Sequence, residues 1–216
     1  MPSVILATRN QGKLREIRQV LGDLPVEVLA IDAWGALADI PKPRETGSTF
    51  ADNARQKALY YARAAGTWCL ADDSGLAVDA LAGRPGVRSA RYAADRCPPH
   101  AGKGDVDLAN NRKLLEELAG LPPEGRTARF VCCLALADGK EVLVEAAGVL
   151  QGRIAFAPAG SNGFGYDPIF IPDGAGCSLA EMTPQQKNAI SHRGQAVRLL
   201  AARLRDLLAG LGHSDQ

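Results

Sequence analysis

Two adjacent carboxylates and a hydroxyl stand at the end of an apolar run in Leu70-Ala71-Asp72-Asp73-Ser74-Gly75. The apolar run, residues 68–71, reads as the end of a buried strand, and Ser74-Gly75 reads as the turn after it. Side chains alternate along a strand, so only one of Asp72 and Asp73 faces a given cleft. One of the two is then a candidate for general-base or metal chemistry. The other must be hydrogen-bonded elsewhere, in support of the turn or the outer surroundings of a metal. Aspartates before Ser-Gly also commonly accept nearby backbone N–H groups and nothing more. Taken alone, the stretch admits both readings.

Four other segments bear on that choice. Thr8-Arg9-Asn10-Gln11-Gly12-Lys13 joins a strand to a helix, where unpaired N–H groups and the helix dipole favour an anion and Lys13 adds a positive charge. The GxxxxGK[ST] spacing of a Walker loop is absent, and ordinary surface loops also match this pattern. Glu45-Thr46-Gly47 precedes a helix on which Asn53 and Lys57 lie four apart, hence on one face. That face is either an exposed polar stripe or a site in which Lys57 meets a phosphate and Glu45 a metal. Magnesium takes a few carboxylates plus water and phosphate oxygens, so Glu45 with Asp72 or Asp73 suffices. No His/Cys cluster points to zinc.

In Ser161-Asn162-Gly163-Phe164-Gly165-Tyr166-Asp167-Pro168, glycines on both sides of Phe164 let the backbone approach a flat ligand, and the ring offers a stacking surface for a base. The alternative is that the aromatics tuck into the core. Asp167, held extended before a proline, can accept from a ligand N–H or a sugar hydroxyl. In Lys187-Asn188-Ala189-Ile190-Ser191-His192-Arg193-Gly194, Ser191 as an N-cap would put His192 and Arg193 in the first turn of the last helix. Donors gathered there suit a carbonyl oxygen; a capped helix start with two solvated side chains is the plainer reading.

The elements that must position these groups follow from periodicity. Residues 3–8 form a strand and 13–21 a helix through Leu14, Ile17, Val20 and Leu21. A second helix spans 50–65, opened by Ser48 or Thr49, with Thr49 and Asp52 spaced as a capping box. Residues 93–105 read as a mobile loop and 106–119 as a third helix. Residues 126–137 and 140–149 flank Asp138-Gly139 as an antiparallel hairpin. Thr183-Pro184 opens a helix, and 196–211 is an amphipathic last helix followed by a tail, 213–216, that should fray. Alternating strands and helices plus a hairpin predict an α/β chain with a mixed sheet flanked by helices. No linker separates domains, so residues 1–216 read as one two-lobed domain.

The chain has 216 residues, is 46% hydrophobic and 23% charged, and carries a formal net charge of +1, the profile of a globular protein. Its near-neutral balance gives no basic field for nucleic-acid backbone, so any anion must be met locally. The five cysteines are odd in number, lack CxxC spacing and lie mostly in apolar runs, which predicts free thiols in a reducing compartment. No run approaches the ~20 apolar residues of a membrane span. With no basic leader, a cytoplasmic location is expected.

Taken in order, these motifs resemble the inosine/xanthosine triphosphate pyrophosphatase family, house-cleaning enzymes for non-canonical purine nucleotides. The likeness rests on Thr8-x-Asn10-x-x-Lys13, on Glu45-Thr46-Gly47 with Asn53-Ala54 and Lys57-Ala58, and on Ala71-Asp72-Asp73-Ser74-Gly75-Leu76. It continues through Gly86 with Ser89-Ala90-Arg91-Tyr92, Gly163-Phe164-Gly165-Tyr166-Asp167-Pro168-Ile169-Phe170, Lys187, and Ser191-His192-Arg193-Gly194. The resemblance implies a long mixed twisted sheet in two lobes with a central nucleotide-binding cleft, and a homodimer. It also implies Mg2+-dependent hydrolysis of ITP, dITP or XTP to the monophosphate and pyrophosphate. By the same resemblance Asp73 is catalytic, and Glu45 and Asp73 are metal ligands. Thr8, Arg9, Asn10, Gln11, Gly12, Lys13, Lys57 and Ser74 then fall to the substrate's phosphate side, and Phe164, Gly165, Tyr166, Asp167, Lys187, His192 and Arg193 to its nucleoside. Arg9 and the segment 97–105 depart from the family pattern and have no assigned role.

The chemistry is consistent with these residue types. Attack on the α-phosphorus needs an activated water and cations to neutralise the departing pyrophosphate. Donors at the last helix start would accept a 6-keto purine and reject the 6-amino group of adenine by leaving buried groups unpaired. A pyrophosphatase for other modified nucleotides, pyrimidines included, is the alternative enzyme. A nucleotide sensor without turnover is the alternative outside catalysis.

Overall fold

The computed structural model describes residues 3–22, 26–37 and 40–212; the tail expected to fray at 213–216 lies outside them. Six strands form one sheet: β1 (Ser3–Leu6), β2 (Glu27–Ala30), β3 (Trp68–Val78), β4 (Thr127–Ala137), β5 (Val142–Ile154) and β6 (Phe170–Pro172), hydrogen-bonded in the order β2-β1-β3-β4-β5-β6. The helices are α1 (Gln11–Leu21), α2 (Phe50–Ala65), α3 (Lys103–Glu117), α4 (Pro184–Ile190) and α5 (His192–Gly212).

β1 pairs in parallel with both β2 and β3, whereas β5 and β6 are antiparallel, so the sheet is mixed as expected. Parallel neighbours require crossovers, which is why α1 and α2 fall between the first three strands in sequence. The connection from β4 to β5 closes at Asp138-Gly139: Asp138 Oδ1 accepts from Lys140 N (2.8 Å) and Glu141 N (3.0 Å), and Gly139 takes φ +97°.

The chain divides into two compact units, one of residues 1–73, 132–148 and 192–216, the other of 74–131 and 149–191. In the first unit strand alternation builds two apolar layers. Val4, Leu6, Leu70, Cys132, Leu134 and Leu136 pack with Leu14, Ile17 and Leu21 of α1 and Val197, Leu200 and Leu204 of α5. Ile5, Ala7, Cys69, Ala71, Ala135 and Ala137 pack with Ala54, Ala58, Tyr61 and Ala62 of α2. Gly148 lets the start of α5 come close, since a Cβ there would lie 2.1 Å from His192 O and 2.7 Å from Ala196 N. The second unit has its own core of Leu76, Val78, Leu114, Leu118, Phe130, Tyr166 and Phe170, with the Phe130 and Phe170 rings 4.6 Å apart.

Several boundaries differ from expectation: β1 stops at Leu6 rather than 8, α1 starts at Gln11 rather than 13, and β5 spans Val142–Ile154 rather than 140–149. The turn expected at Ser74-Gly75 is absent: β3 continues to Val78, and Asp72 through Gly75 lie inside it. Gly75 serves close approach rather than a turn, because a Cβ there would sit 2.3 Å from Ser89 Oγ, the atom that accepts from Leu76 N. α3 begins at Lys103 rather than 106, shortening the expected loop, which also holds a short helical turn at Ala94–Arg96. α5 begins at His192, before the amphipathic stretch that starts at 196 and where Ser191 as N-cap would place it. α2 spans the expected residues, with Thr49 as N-cap accepting from Asp52 N.

Candidate active site

Residue parity on β3 decides what each carboxylate meets. Asp72 shares the side of Leu70, facing α1 and α5, while Asp73 shares the side of Cys69 and Ala71, facing α2. Asp72 is buried; Lys13 Nζ of α1 contacts its Oδ1, and Arg193 Nε of α5 donates to its Oδ2 at 2.8 Å. Cys132 Sγ lies 3.3 Å from the same oxygen, and Arg193 Nη1 pairs with Glu16. Burial alone would push the Asp72 carboxyl up, but Lys13 and Arg193 overcome it and hold it well below the usual carboxylate range. Burial disfavours charge on Arg193 too, yet Asp72 and Glu16 raise its pKa, so the guanidinium stays charged.

Asp73 has a different set of partners. Lys57 Nζ of α2 donates to Asp73 Oδ1 at 3.0 Å, to Asp72 O at 2.9 Å and to Glu45 Oε1 at 3.2 Å. Asn53 Nδ2, one helical turn before Lys57, donates to Asp73 Oδ2 at 3.2 Å, while Asn53 Oδ1 accepts from Gly47 N at 2.9 Å. A Cβ at Gly47 would fall 2.7 Å from Asn53 Oδ1, which explains glycine after Glu45-Thr46. Burial raises the Asp73 pKa above its ordinary value, and Lys57 only partly opposes this. Lys57 in turn is raised: burial lowers it, but Asp73 and Glu45 outweigh that. The two neighbours on one strand are therefore tuned in opposite directions, a pattern that fits one structural and one reactive carboxylate.

At the start of α1, Asn10 caps the helix, its Oδ1 accepting from Gly12 N (3.0 Å) and Lys13 N (3.5 Å). Thr8 Oγ1 accepts from Asn10 N at 3.1 Å, and Arg9 Nε reaches Asp32 Oδ1 at 3.2 Å. Gln11 is exposed.

The second unit carries the aromatic loop. Gly163 and Gly165 take φ +78° and +64°, the left-handed region that glycine enters without steric cost. Asp167 Oδ2 accepts from Phe164 N and from Lys187 Nζ, both at 2.8 Å, and all but a few per cent of Asp167 and Lys187 is buried. Phe164 is half-buried, with the Lys103 and Lys187 ammonium groups 4.6 and 4.8 Å from its ring centroid. Tyr166 instead joins the core, its hydroxyl donating to Ser89 O at 2.9 Å.

A model of the Ham1 family matches residues 4–203. The chain belongs to the Ham1 family. Its relatives include a dITP/XTP pyrophosphatase of Anaeromyxobacter sp. (strain Fw109-5), 46% identical over 229 residues that span 96% of this chain and 97% of that one. Another, the dITP/XTP pyrophosphatase of Nitratidesulfovibrio vulgaris, is 48% identical over 200 residues, 92% of this chain and 93% of the relative. The structure of a HAM1 protein from Coxiella burnetii superposes with a TM-score of 0.82 at 40% identity, over 95% of this chain and all of that one. The motif resemblance and the family match coincide.

In this Ham1 chain the expected residues fall into two sets. Asp73, Glu45 and Lys57 gather on the α2 side of β3, and Lys13, His192 and Arg193 belong to α1 and α5 of the same unit, with Arg193 bonded to carboxylates. Phe164, Gly165, Asp167 and Lys187 gather in the second unit, to which Ser74 also belongs. Asn53, Glu16 and Cys132 complete the carboxylate surroundings and were not among the expected site residues. Helical spacing signalled two of them: Glu16 follows Lys13 by three, and Asn53 precedes Lys57 by four.

Proposed function

We propose that this Ham1 chain is a nucleoside triphosphate pyrophosphatase, a hydrolase of phosphoric anhydride bonds that converts ITP, dITP and XTP to the monophosphate and pyrophosphate. Its role is to keep such non-canonical purines out of DNA and RNA. The observation that carries this reading is the placing of Glu45 and Asp73 about one ammonium, Lys57 Nζ, with Asp73 raised in pKa.

Mg2+ fits this donor set. Among the described residues no group of three or more His, Cys, Asp or Glu side chains is able to hold a metal, so a closed protein cage is not offered. Two carboxylates suit a hard cation that completes its shell with water and substrate phosphate. Glu45 and Asp73 would hold it, and when bound it supplies Lewis-acid polarisation of the phosphate and charge neutralisation.

Asp73 takes the proton from the water that attacks the α-phosphorus; the bond from that phosphorus to the α,β-bridging oxygen breaks, and pyrophosphate leaves. Asn53 and Lys57 orient Asp73, and Lys57 with Lys13 offsets the charge on the departing group. At the start of α1 the amides now capped by Asn10 are the groups that a phosphate would engage, alongside Thr8, Arg9, Gln11 and Gly12. In the second unit Phe164 offers a stacking surface for a base, with Ser74, Gly165, Tyr166, Asp167 and Lys187 as substrate-lining or supporting residues; in the first unit His192 and Arg193 are donors suited to a 6-keto oxygen. The chain acts as one pyrophosphatase domain in the cytoplasm, where its cysteines stay reduced, and as a homodimer by its resemblance to the family.

Incubation with ITP and Mg2+ is expected to yield IMP and pyrophosphate. Release of IDP and orthophosphate would overturn the assignment of the cleaved bond.

A further inference from the structure

One face of α3, which has no role in the reading above, is attached to the aromatic loop at three consecutive turns. Lys103, Asp107 and Asn111 are spaced four apart and so share a face. Lys103 Nζ lies 4.6 Å from the Phe164 ring centroid. Asp107 Oδ2 accepts from Gly165 N at 3.0 Å, and Asn111 Nδ2 donates to Gly165 O at 3.0 Å. Both peptide groups that flank the Gly165 α-carbon are therefore held from the same helix, at a residue whose φ is +64°. With Phe164 N already bonded to Asp167, the peptide groups on both sides of the Phe164 α-carbon are held, and with them the backbone from which the ring projects.

We propose that Asp107 and Asn111 are positioning residues for nucleoside binding, which set the plane of Phe164 by clamping the two peptide groups of Gly165. The proposal rests on the pyrophosphatase reading for its kinetic consequence, but the clamp itself is independent of it. α3 is anchored by Leu114 and Leu118 in the core of the second unit, so the clamp refers the loop to a rigid element. Asn111 is 5% exposed, and its Oδ1 has no hydrogen-bond partner among the described residues. Its amide is thus committed through the donor end, and polarity matters at this position as much as size.

That polarity gives the test a sign. Asp107→Asn keeps an acceptor for Gly165 N–H, whereas Asn111→Asp, nearly the same size, turns an acceptor toward the Gly165 carbonyl. Stacking by a preset ring stabilises ground and transition states alike, so its loss appears in KM rather than kcat. Two measurements on the full chain are needed: steady-state pyrophosphate release from ITP with Mg2+, and amide exchange of residues 163–167. D107A and N111D are expected to raise KM about tenfold, the equivalent of one lost hydrogen bond, with kcat within about twofold and faster exchange of the loop. D107N should restore KM to within about threefold of the parent protein. Unchanged exchange in D107A and N111D overturns the clamp. Faster exchange with unchanged KM, or a loss confined to kcat, overturns the role in nucleoside binding. If the parent protein releases no pyrophosphate from ITP, the pyrophosphatase reading fails instead, and the exchange measurement still decides the clamp.

Discussion

Lys57 and Asp73 form an ion pair of 3.0 Å in which the same ammonium also bonds the Asp72 carbonyl and the Glu45 carboxylate. One cation thus fixes the strand backbone and holds two carboxylates that would otherwise repel. It neutralises them only partly, since burial still raises Asp73.

Asp73→Asn removes the proton acceptor while keeping the shape. A fall in kcat of about 10²–10⁴-fold is expected, the usual range for a general base. Both Asp73 oxygens accept in the parent protein, so the amide turns a donor toward Lys57 Nζ or Asn53 Nδ2, and thermal stability at neutral pH should fall as well. Pyrophosphate release and a melting curve on the same sample check both halves.

The pH dependence has a definite direction. Asp73 acts only when ionised, and its pKa is raised, so kcat/KM should fall on the acid side at a pH above the ordinary Asp value of about 3.9. Lys57 lowers the Asp73 pKa, so Lys57→Met should move this limb to still higher pH. A pH–rate profile with ITP that shows no movement would count against the pairing.

Asp72 predicts the opposite sign in stability. Its folded pKa is depressed below the unfolded value, so its contribution is present above that unfolded pKa, about 3.9, and is lost as pH falls through the folded value. Asp72→Ala leaves Lys13 and Arg193 without this buried carboxylate and should cost about 3–5 kcal/mol at neutral pH. Urea unfolding at neutral and acid pH should show the deficit shrinking in acid.

Chelation of Mg2+ should abolish turnover while nucleotide binding persists at reduced affinity. Glu45→Gln should raise the Mg2+ concentration needed for half-maximal rate by roughly tenfold, taking loss of one charged ligand as about 1.4 kcal/mol. Titration of activity against Mg2+ at fixed ITP measures this.

Much of this was legible in the sequence because it depended on local period. The parity of Asp72 and Asp73 follows from strand alternation, and the limits of α2 follow from its cap and apolar spacing. The β3 boundary is not legible in the sequence, because Asp-Asp-Ser-Gly has turn chemistry in isolation. What keeps it extended is its place between β1 and β4 in the sheet, with Lys13, Arg193, Lys57 and Ser89, all distant in sequence, meeting the polar groups it carries. The pairing of Arg193 with Asp72 and Glu16 was hidden for the same reason: it joins residues 121 and 177 positions apart. The grip of α3 on Gly165 depends on tertiary packing, although its four-residue spacing stood in the sequence.

The hydrogen atom that serves as the side chain of Gly148 governs how closely the first turn of α5 approaches β5. A methyl there would overlap His192 O and Ala196 N and lift the first turn of α5, carrying the Arg193 guanidinium away from Asp72. Position 148 thus has a steric veto over one of the two ion pairs of a buried carboxylate. A search for inactivating substitutions confined to charged residues would pass over it.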